Sequence, residues 1–244
     1  LAAWLIKMVS SDNDQSSAEA PEKTVALLFT RHPRMIVSVL AVLRAGLTYV
    51  PLDSSFPESR LSFILDDSDS TIVLTESSQR ELVPGNYSGL ICAVDSEWAS
   101  ISEIASEMPN LSIQQHYSPQ RLAFIIYTSG STGQPKGVLI EACSIVDLVK
   151  NTNFINITSQ DRVLQAGSLA FDASTFEIWG AILNGASLYL PSRNELLDPA
   201  TFANSLYDQS ISIAFLTTSL FNQLSAFDSS LFSNLRVLMT GGEK

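Results

Sequence analysis

The chain has 244 residues, 45% of them hydrophobic and 16% charged, enough apolar content for a sizeable core and too much for a disordered chain. Fourteen basic against 25 acidic residues give a net charge of −11 and a pI of about 4.5, which argues against a partner held through phosphate contacts, so nucleic acid is not expected. The two cysteines, Cys92 and Cys143, show no disulfide-framework or zinc spacing and fit a reducing compartment such as the cytoplasm; no apolar run approaches the roughly 18 residues that a membrane-spanning helix needs.

Residues 1–9 read as an amphipathic helix carrying Lys7. Residues 10–22 are Ser-rich and acidic and read as a surface loop. A strand follows at 24–30, then a helix at 35–44 entered after Pro33. Ser55 is placed to cap the next helix, with Pro57 just inside it and Leu61, Ile64 and Leu65 on one face. A strand at 71–75 leads into residues 76–118, where Ser, Pro, Asn and Gly interrupt every period and predict a variable connection. Residues 121–127 form a near-continuous apolar strand of the kind that a parallel sheet covers on both faces. Beyond it come a helix at 141–150, a strand at 162–165, a helix at 174–183 and a strand at 187–190. Two more strands are expected at 211–216 and 237–240. This alternation predicts an α/β fold with largely parallel sheets flanked by helices. The missing initial methionine and the abrupt end after residues 235–244, a strand running into a glycine turn, suggest a piece of a longer chain cut at both ends.

The strand ending at Tyr127 meets Thr128-Ser-Gly-Ser-Thr-Gly-Gln-Pro-Lys136-Gly137. Glycines let the backbone approach closely and present N–H groups, hydroxyls add donors, and a lysine supplies a mobile positive charge, so the composition suits phosphate. A flexible Ser/Gly surface loop fits the same composition equally well. The P-loop pattern is not met, because Lys136 lies between Pro135 and Gly137.

Taken whole, Leu122-Ala-Phe-Ile-Ile-Tyr-Thr-Ser-Gly-Ser-Thr-Gly-Gln-Pro-Lys-Gly137 resembles the signature of the adenylate-forming, AMP-binding enzymes. Three further stretches resemble the amino-acid adenylation domains of nonribosomal peptide synthetases: Val42-Leu-Arg-Ala-Gly-Leu-Thr-Tyr-Val-Pro-Leu-Asp53, Leu169-Ala-Phe-Asp-Ala-Ser174 and Asn184-Gly-Ala-Ser-Leu-Tyr189. The resemblance covers nearly the whole chain and is weakest over 76–118. It implies ATP-dependent activation of an amino acid as an aminoacyl adenylate, followed by transfer to the phosphopantetheine thiol of a peptidyl carrier domain. It also implies that Thr128, Ser129, Gly130, Ser131, Thr132, Gly133 and the catalytic Lys136 hold the β- and γ-phosphates, and that the turn Gly241, Gly242, Glu243 faces adenine and ribose.

Asp172 at a helix start is by itself an ordinary cap. The resemblance makes it the partner of the substrate ammonium, with Phe171 gating the path of the incoming thiol. Ala173, Phe176, Phe215, Met239 and Gly241 are the matching pocket positions. None carries a charge, which implies a hydrophobic substrate, in particular a branched aliphatic one. Without the resemblance, Phe176, Phe215 and Met239 read as core residues. His32 and His116 read as loop or surface residues, and no metal site is expected within the chain. The Mg2+ ligand, the ribose-binding aspartate and the small C-terminal domain with its own lysine belong to family motifs that do not occur in residues 1–244, so the chain is expected to be a partial adenylation domain that is inactive alone. Rival readings are an acyl- or aryl-CoA ligase, an aminoadipate- or carboxylate-reductase adenylation domain, and a non-catalytic nucleotide-binding remnant.

Overall fold

In a computed structural model the alternating apolar segments build two sheets, one in each of two compact units, Leu1–Ala142 and Cys143–Lys244. The structure describes residues 1–10, 23–107, 118–129, 134–150 and 152–242. His116 and, after Ser10, the loop expected at 10–22 lie outside them.

The first unit contains strands β1 (Thr24–Leu28), β2 (Thr48–Leu52), β3 (Ser70–Thr75), β4 (Leu90–Ala93), β5 (Leu122–Ser129) and β6 (Pro135–Glu141). Their order is β4-β3-β1-β2-β5-β6, parallel throughout except for the antiparallel β5–β6 pair. Every residue of β1 and β2 is buried, as befits strands covered on both faces. Helix α3 (Glu58–Asp67) seats Leu61, Ile64 and Leu65 against Ala26, Leu28, Val50, Leu52 and Val73. Helix α2 (Pro33–Arg44) buries Met35, Val39 and Val42. Helices α1 (Ala2–Ser10) and α4 (Trp98–Ser106) bury Leu5 and Ile101 respectively.

Several expectations are corrected here. Ser55 does not cap α3: its N–H and hydroxyl both donate to Asp53 Oδ1, at 2.8 and 2.6 Å, a local turn that leaves Pro57 at the cap position. His32 stays in the loop ahead of α2, where its Nδ1 accepts the Arg34 N–H and so caps that helix. The connection at 76–118 holds a 3₁₀ turn at Ser77–Leu82, strand β4 and helix α4, all short enough for no period to emerge. Strand β5 has a parallel neighbour on one side only; the other is β6, its hairpin partner.

The second unit opens with α5 (Ala142–Val149), whose first residue still belongs to the first unit, and continues through β7 (Arg162–Leu164), α6 (Ala173–Leu183), β8 (Ser187–Tyr189), α7 (Arg193–Leu197), α8 (Pro199–Asp208), β9 (Ile213–Thr217), α9 (Thr218–Phe227) and β10 (Val237–Gly241). All its strands are parallel, in the order β10-β9-β7-β8. The chain steps from β7 to β8 in one direction and returns past β7 to β9 and β10 in the other. Right-handed crossovers then put α6 on one face and α8 and α9 on the opposite one. The packing agrees, since Phe202 and Leu206 of α8 and Leu224 of α9 share a cluster with Leu164, Ala214, Leu216 and Leu238, alternate residues of the strands. No helix among the described residues is long and apolar enough to cross a membrane.

The amino-terminal edge of this sheet is held by Asp161, which is 5% exposed. Arg236 donates to both its oxygens, Nε to Oδ1 at 3.0 Å and an Nη to Oδ2 at 2.8 Å, and Ser212 and Thr158 add further bonds. Burial alone would raise the Asp161 carboxyl, but the Arg236 hydrogen bonds, then those of Thr158 and Ser212, outweigh it and hold the group at about 2. Its folded-state value is therefore below the ordinary ~3.9, so its stabilisation is complete above about pH 4 and is lost as pH falls towards about 2. Arg236→Ala is expected to cost about 1–3 kcal/mol near neutral pH by leaving a buried acceptor under-satisfied. Denaturant unfolding of both proteins should show that difference shrinking as the pH is lowered through this window.

Candidate active site

The expected phosphate loop is the tip of the β5–β6 hairpin. The two strands stay paired further than the sequence suggests, through Tyr127↔Gly137, Thr128↔Lys136 and Ser129↔Pro135. Thr128, Ser129 and Lys136 are exposed on opposite strands of the same hairpin end. Gly130, Ser131, Thr132 and Gly133 lie outside the described residues.

The base of this hairpin is fastened by Tyr127. Its hydroxyl donates to Asp67 Oδ2 at 2.6 Å, its ring meets Phe63 edge-on at 6.5 Å, and its carbonyl accepts from Arg60, whose guanidinium lies 4.0 Å above the Phe56 ring. Burial first, and the Asp67 hydrogen bond second, raise the Tyr127 hydroxyl above its ordinary range, so it stays a donor. Across the hairpin, a Cβ at Gly137 would lie 3.0 Å from Ile125 Cγ2 and 3.2 Å from Tyr127 Cζ. The tyrosine ring occupies the space that a side chain there would need.

In the second unit, β7 and β9 are neighbours whose outgoing connections leave towards opposite faces, and they share the single register pair Val163↔Ile213. The carboxyl ends of two such strands splay apart into the crevice where open α/β sheets bind ligands. Phe171 and Asp172 lie in the turn that follows β7. Phe171 is 57% exposed, unusual for a residue with an ordinary core role. Asp172 is exposed at the N-cap of α6, where its Oδ1 accepts the Ala173 N–H at 2.8 Å. The cap reading of Asp172 is thus met, and its carboxylate is exposed in the turn after β7.

The wall positions fall into two groups. Ala173 and Phe176 share one side of α6, and Phe176 is buried beside Phe154. Phe215 and Met239 are register partners on β9 and β10, and with Gly241 they occupy the strand positions that point away from the cluster under α8 and α9. That is the face covered by α6, which packs on β7, β8 and β9. A Cβ at Gly241 would meet the Phe215 ring at 3.3 Å, so the glycine admits that ring. Gly242 has φ +106°, a backbone region that favours glycine. Glu243 lies outside the described residues.

Two residues that the sequence reading passed over hold this turn. Glu177, fully buried on α6, accepts the N–H groups of Ala166 and Gly167 and a bond from Gln165 Nε2. Ser174, one turn earlier, donates to the carbonyls of Leu169 and Phe171. Their Ser-x-x-Glu spacing is that of a capping box, a readable signal, yet here it grips the preceding loop instead of the helix end. Cys92 offers no competing chemistry, since burial pushes its thiol up to about 12.

A family model described as AMP-binding enzyme matches residues 18–244. Surfactin synthase subunit 2 of Bacillus subtilis (strain 168) is 42% identical over 224 residues, which are 91% of this chain and 6% of that protein. Gramicidin S synthase 2 of Brevibacillus brevis is 39% identical over 223 residues, 91% of this chain and 5% of that protein. Among solved structures, the Klebsiella oxytoca NpsA N-terminal subdomain superposes with a TM-score of 0.76 at 22% identity, covering all of this chain and 59% of its own. The nonribosomal peptide synthetase FmoA3 gives a TM-score of 0.80 at 22% identity, covering 99% of this chain and 25% of its own. At that identity the structural likeness speaks for the fold: mostly parallel sheets flanked by helices, as expected from the sequence.

The hairpin geometry carries its own test. Gly137→Ala is expected to destabilise the protein by about 1–3 kcal/mol through overpacking against Ile125 and Tyr127. Gly85→Ala, whose added Cβ meets nothing within 4 Å, is expected to stay within about 0.5 kcal/mol in the same urea titration.

Proposed function

This chain belongs to the AMP-binding enzyme family, and from that premise we propose that it works within a nonribosomal peptide synthetase to activate an amino acid as its adenylate. An oxygen of the substrate carboxylate attacks the α-phosphorus of ATP, the bond from that phosphorus to the bridging oxygen breaks, and pyrophosphate leaves. A carboxylate is already ionised near neutral pH, so the step needs no general base. What it needs is stabilisation of the leaving charge, and the role assigned to Thr128, Ser129, Gly130, Ser131, Thr132, Gly133 and Lys136 is to supply donors and a cation for the β- and γ-phosphates. Gly241, Gly242 and Glu243 are assigned to the adenosine side.

Mg2+ would neutralise phosphate charge when bound. Among the described residues no three His, Cys, Asp or Glu side chains are placed to hold a metal ion. The adenylate then passes, in this proposal, to the phosphopantetheine thiol of a carrier domain, with Phe171 beside its path. The chain spans about a twentieth of the synthetases it matches, so the activity is assigned to the longer protein.

The observation that carries the reading is the exposed Asp172 carboxylate at the N-cap of α6, in the turn that follows β7 of the second sheet. It suits an α-ammonium, whereas a plain acyl or aryl acid would leave the carboxylate with its Ala173 N–H but without a counter-charge. In the intact synthetase, Asp172→Ala should weaken amino-acid-dependent pyrophosphate exchange by about 1.5–3 kcal/mol, the worth of a charge-assisted contact. Lys136→Ala should instead slow adenylate formation with little change in amino-acid affinity.

Ala173 is small, Gly241 gives its space to the Phe215 ring, and Phe176, Phe215 and Met239 are apolar; on that uncharged set we assign a branched aliphatic amino acid. Pyrophosphate exchange across the proteinogenic amino acids should be fastest with valine, isoleucine or leucine. Discrimination among them should be poor, since one methylene is worth only about 1–3 kcal/mol. A preference for aspartate, lysine or arginine would overturn the assignment.

A further inference from the structure

Helix α6 carries two buried polar side chains three residues apart, Ser174 at 2% exposure and Glu177 at 0%, and the reaction just proposed uses neither. A buried carboxylate is costly unless its oxygens are well partnered. Those of Glu177 are spent on one short stretch of backbone. Oε1 accepts from Ala166 N and Gly167 N, both at 3.1 Å, and Oε2 accepts from Gly167 N and Gln165 Nε2, both at 3.2 Å. Gln165 Nε2 also bonds the Gly167 carbonyl, tightening the same bend.

Ser174 takes the other end of the loop, through its bonds to the Leu169 carbonyl at 3.3 Å and the Phe171 carbonyl at 2.7 Å. The loop between β7 and Asp172 is therefore pinned at both ends by one face of the helix that Asp172 caps. We propose that Glu177, acting with Ser174, is a positioning residue that fixes the direction of the Asp172 carboxylate towards the substrate ammonium. This rests on the amino-acid reading of Asp172 and goes beyond it by naming what aims the carboxylate.

The chemistry of the pair explains the residue type. Two successive backbone N–H groups converge on Glu177, and Gly167 donates to both oxygens. A glutamine would replace one acceptor oxygen by an NH2 group and so remove part of the set of bonds that Ala166, Gly167 and Gln165 now make to it. Gly167 belongs to the same device: a Cβ there would lie 3.2 Å from Glu177 Oε2, tighter than ordinary contact, so a side chain would push the loop and the carboxylate apart by a few tenths of an ångström. Because a misplacement of about an ångström near reacting groups costs large factors in rate, a small loop shift is expected to register in function before it registers in stability.

The test uses the intact synthetase with two independent variants, Glu177→Gln, which alters the acceptor, and Gly167→Ala, which keeps the carboxylate and displaces the loop. Pyrophosphate exchange is measured with the preferred amino acid, with its des-amino carboxylic acid, and against ATP concentration. The expected result is an amino-acid KM raised about tenfold, an ATP KM within about twofold of the parent, and a preference for the amino acid over the des-amino acid reduced about tenfold. A parallel rise in both KM values, or an unchanged preference, would overturn the proposal and leave Glu177 a structural residue. If Glu177→Gln does not fold, Gly167→Ala decides by the same criteria. Asp172→Ala runs alongside: if it too leaves the preference unchanged, the amino-acid reading itself has failed, whereas a loss there alone condemns only the positioning role.

Discussion

One carboxylate governs the amino-terminal edge of the second sheet. Asp161 precedes β7; its carbonyl accepts the Ser187 N–H at the start of β8, and its Oδ1 accepts from Ser212 before β9 and from Arg236 before β10. Four strands thus begin at one buried group, with Arg162 N–H bonding Ser212 Oγ to close the set. The arrangement orders one edge of the sheet from chain segments more than seventy residues apart, a cost in loop entropy that such a well-satisfied ion pair helps to offset.

Fixing that edge leaves the other free to diverge. At the carboxyl ends, β7 and β9 separate after one pair, and the turn carrying Phe171 and Asp172 enters the opening. The first unit has the same reversal of crossover direction around β1, but there Thr30 Oγ1 donates to the buried Glu76 at 2.9 Å and joins the ends of β1 and β3. Equivalent topology therefore gives a crevice bridged by the protein's own groups in one unit and one edged by exposed aromatic and acidic side chains in the other.

The long, strongly patterned segments were legible in the sequence. β1, β3, β5, α2 and α6 follow from continuous apolar runs or a clear helical period, and the proposed wall positions lie on α6 and on β9 and β10, which were also expected as strands. The rest was hidden for specific reasons. β2 was obscured by Pro51, which cannot donate to a ladder, and its pairing with β5 is indeed reduced to Tyr49↔Phe124. β6 is an edge strand with Val138 and Leu139 exposed, so burial imposed no period on it. α7 and α8 did carry signals: a capping box at Ser192 and Glu195, and an Asp198 cap followed by Pro199. The Ser-x-x-Glu spacing of Ser174 and Glu177 was readable, but not that Glu177 clamps the loop, since the backbone N–H groups of Ala166 and Gly167 that it binds leave no trace in side-chain identity.

Successive residues on a helix are turned by about 100° from one another, so Ala173 and Phe176 form one row on α6 while Ser174 and Glu177 form the next. One row faces the space assigned to the substrate side chain, and the other holds the loop that carries the charge anchor. This interleaving separates two tasks that a single row would entangle. The walls can exchange volume and shape to suit a different side chain while the anchor keeps its place, so selectivity can drift, or be redesigned, without rebuilding the scaffold on which activation depends.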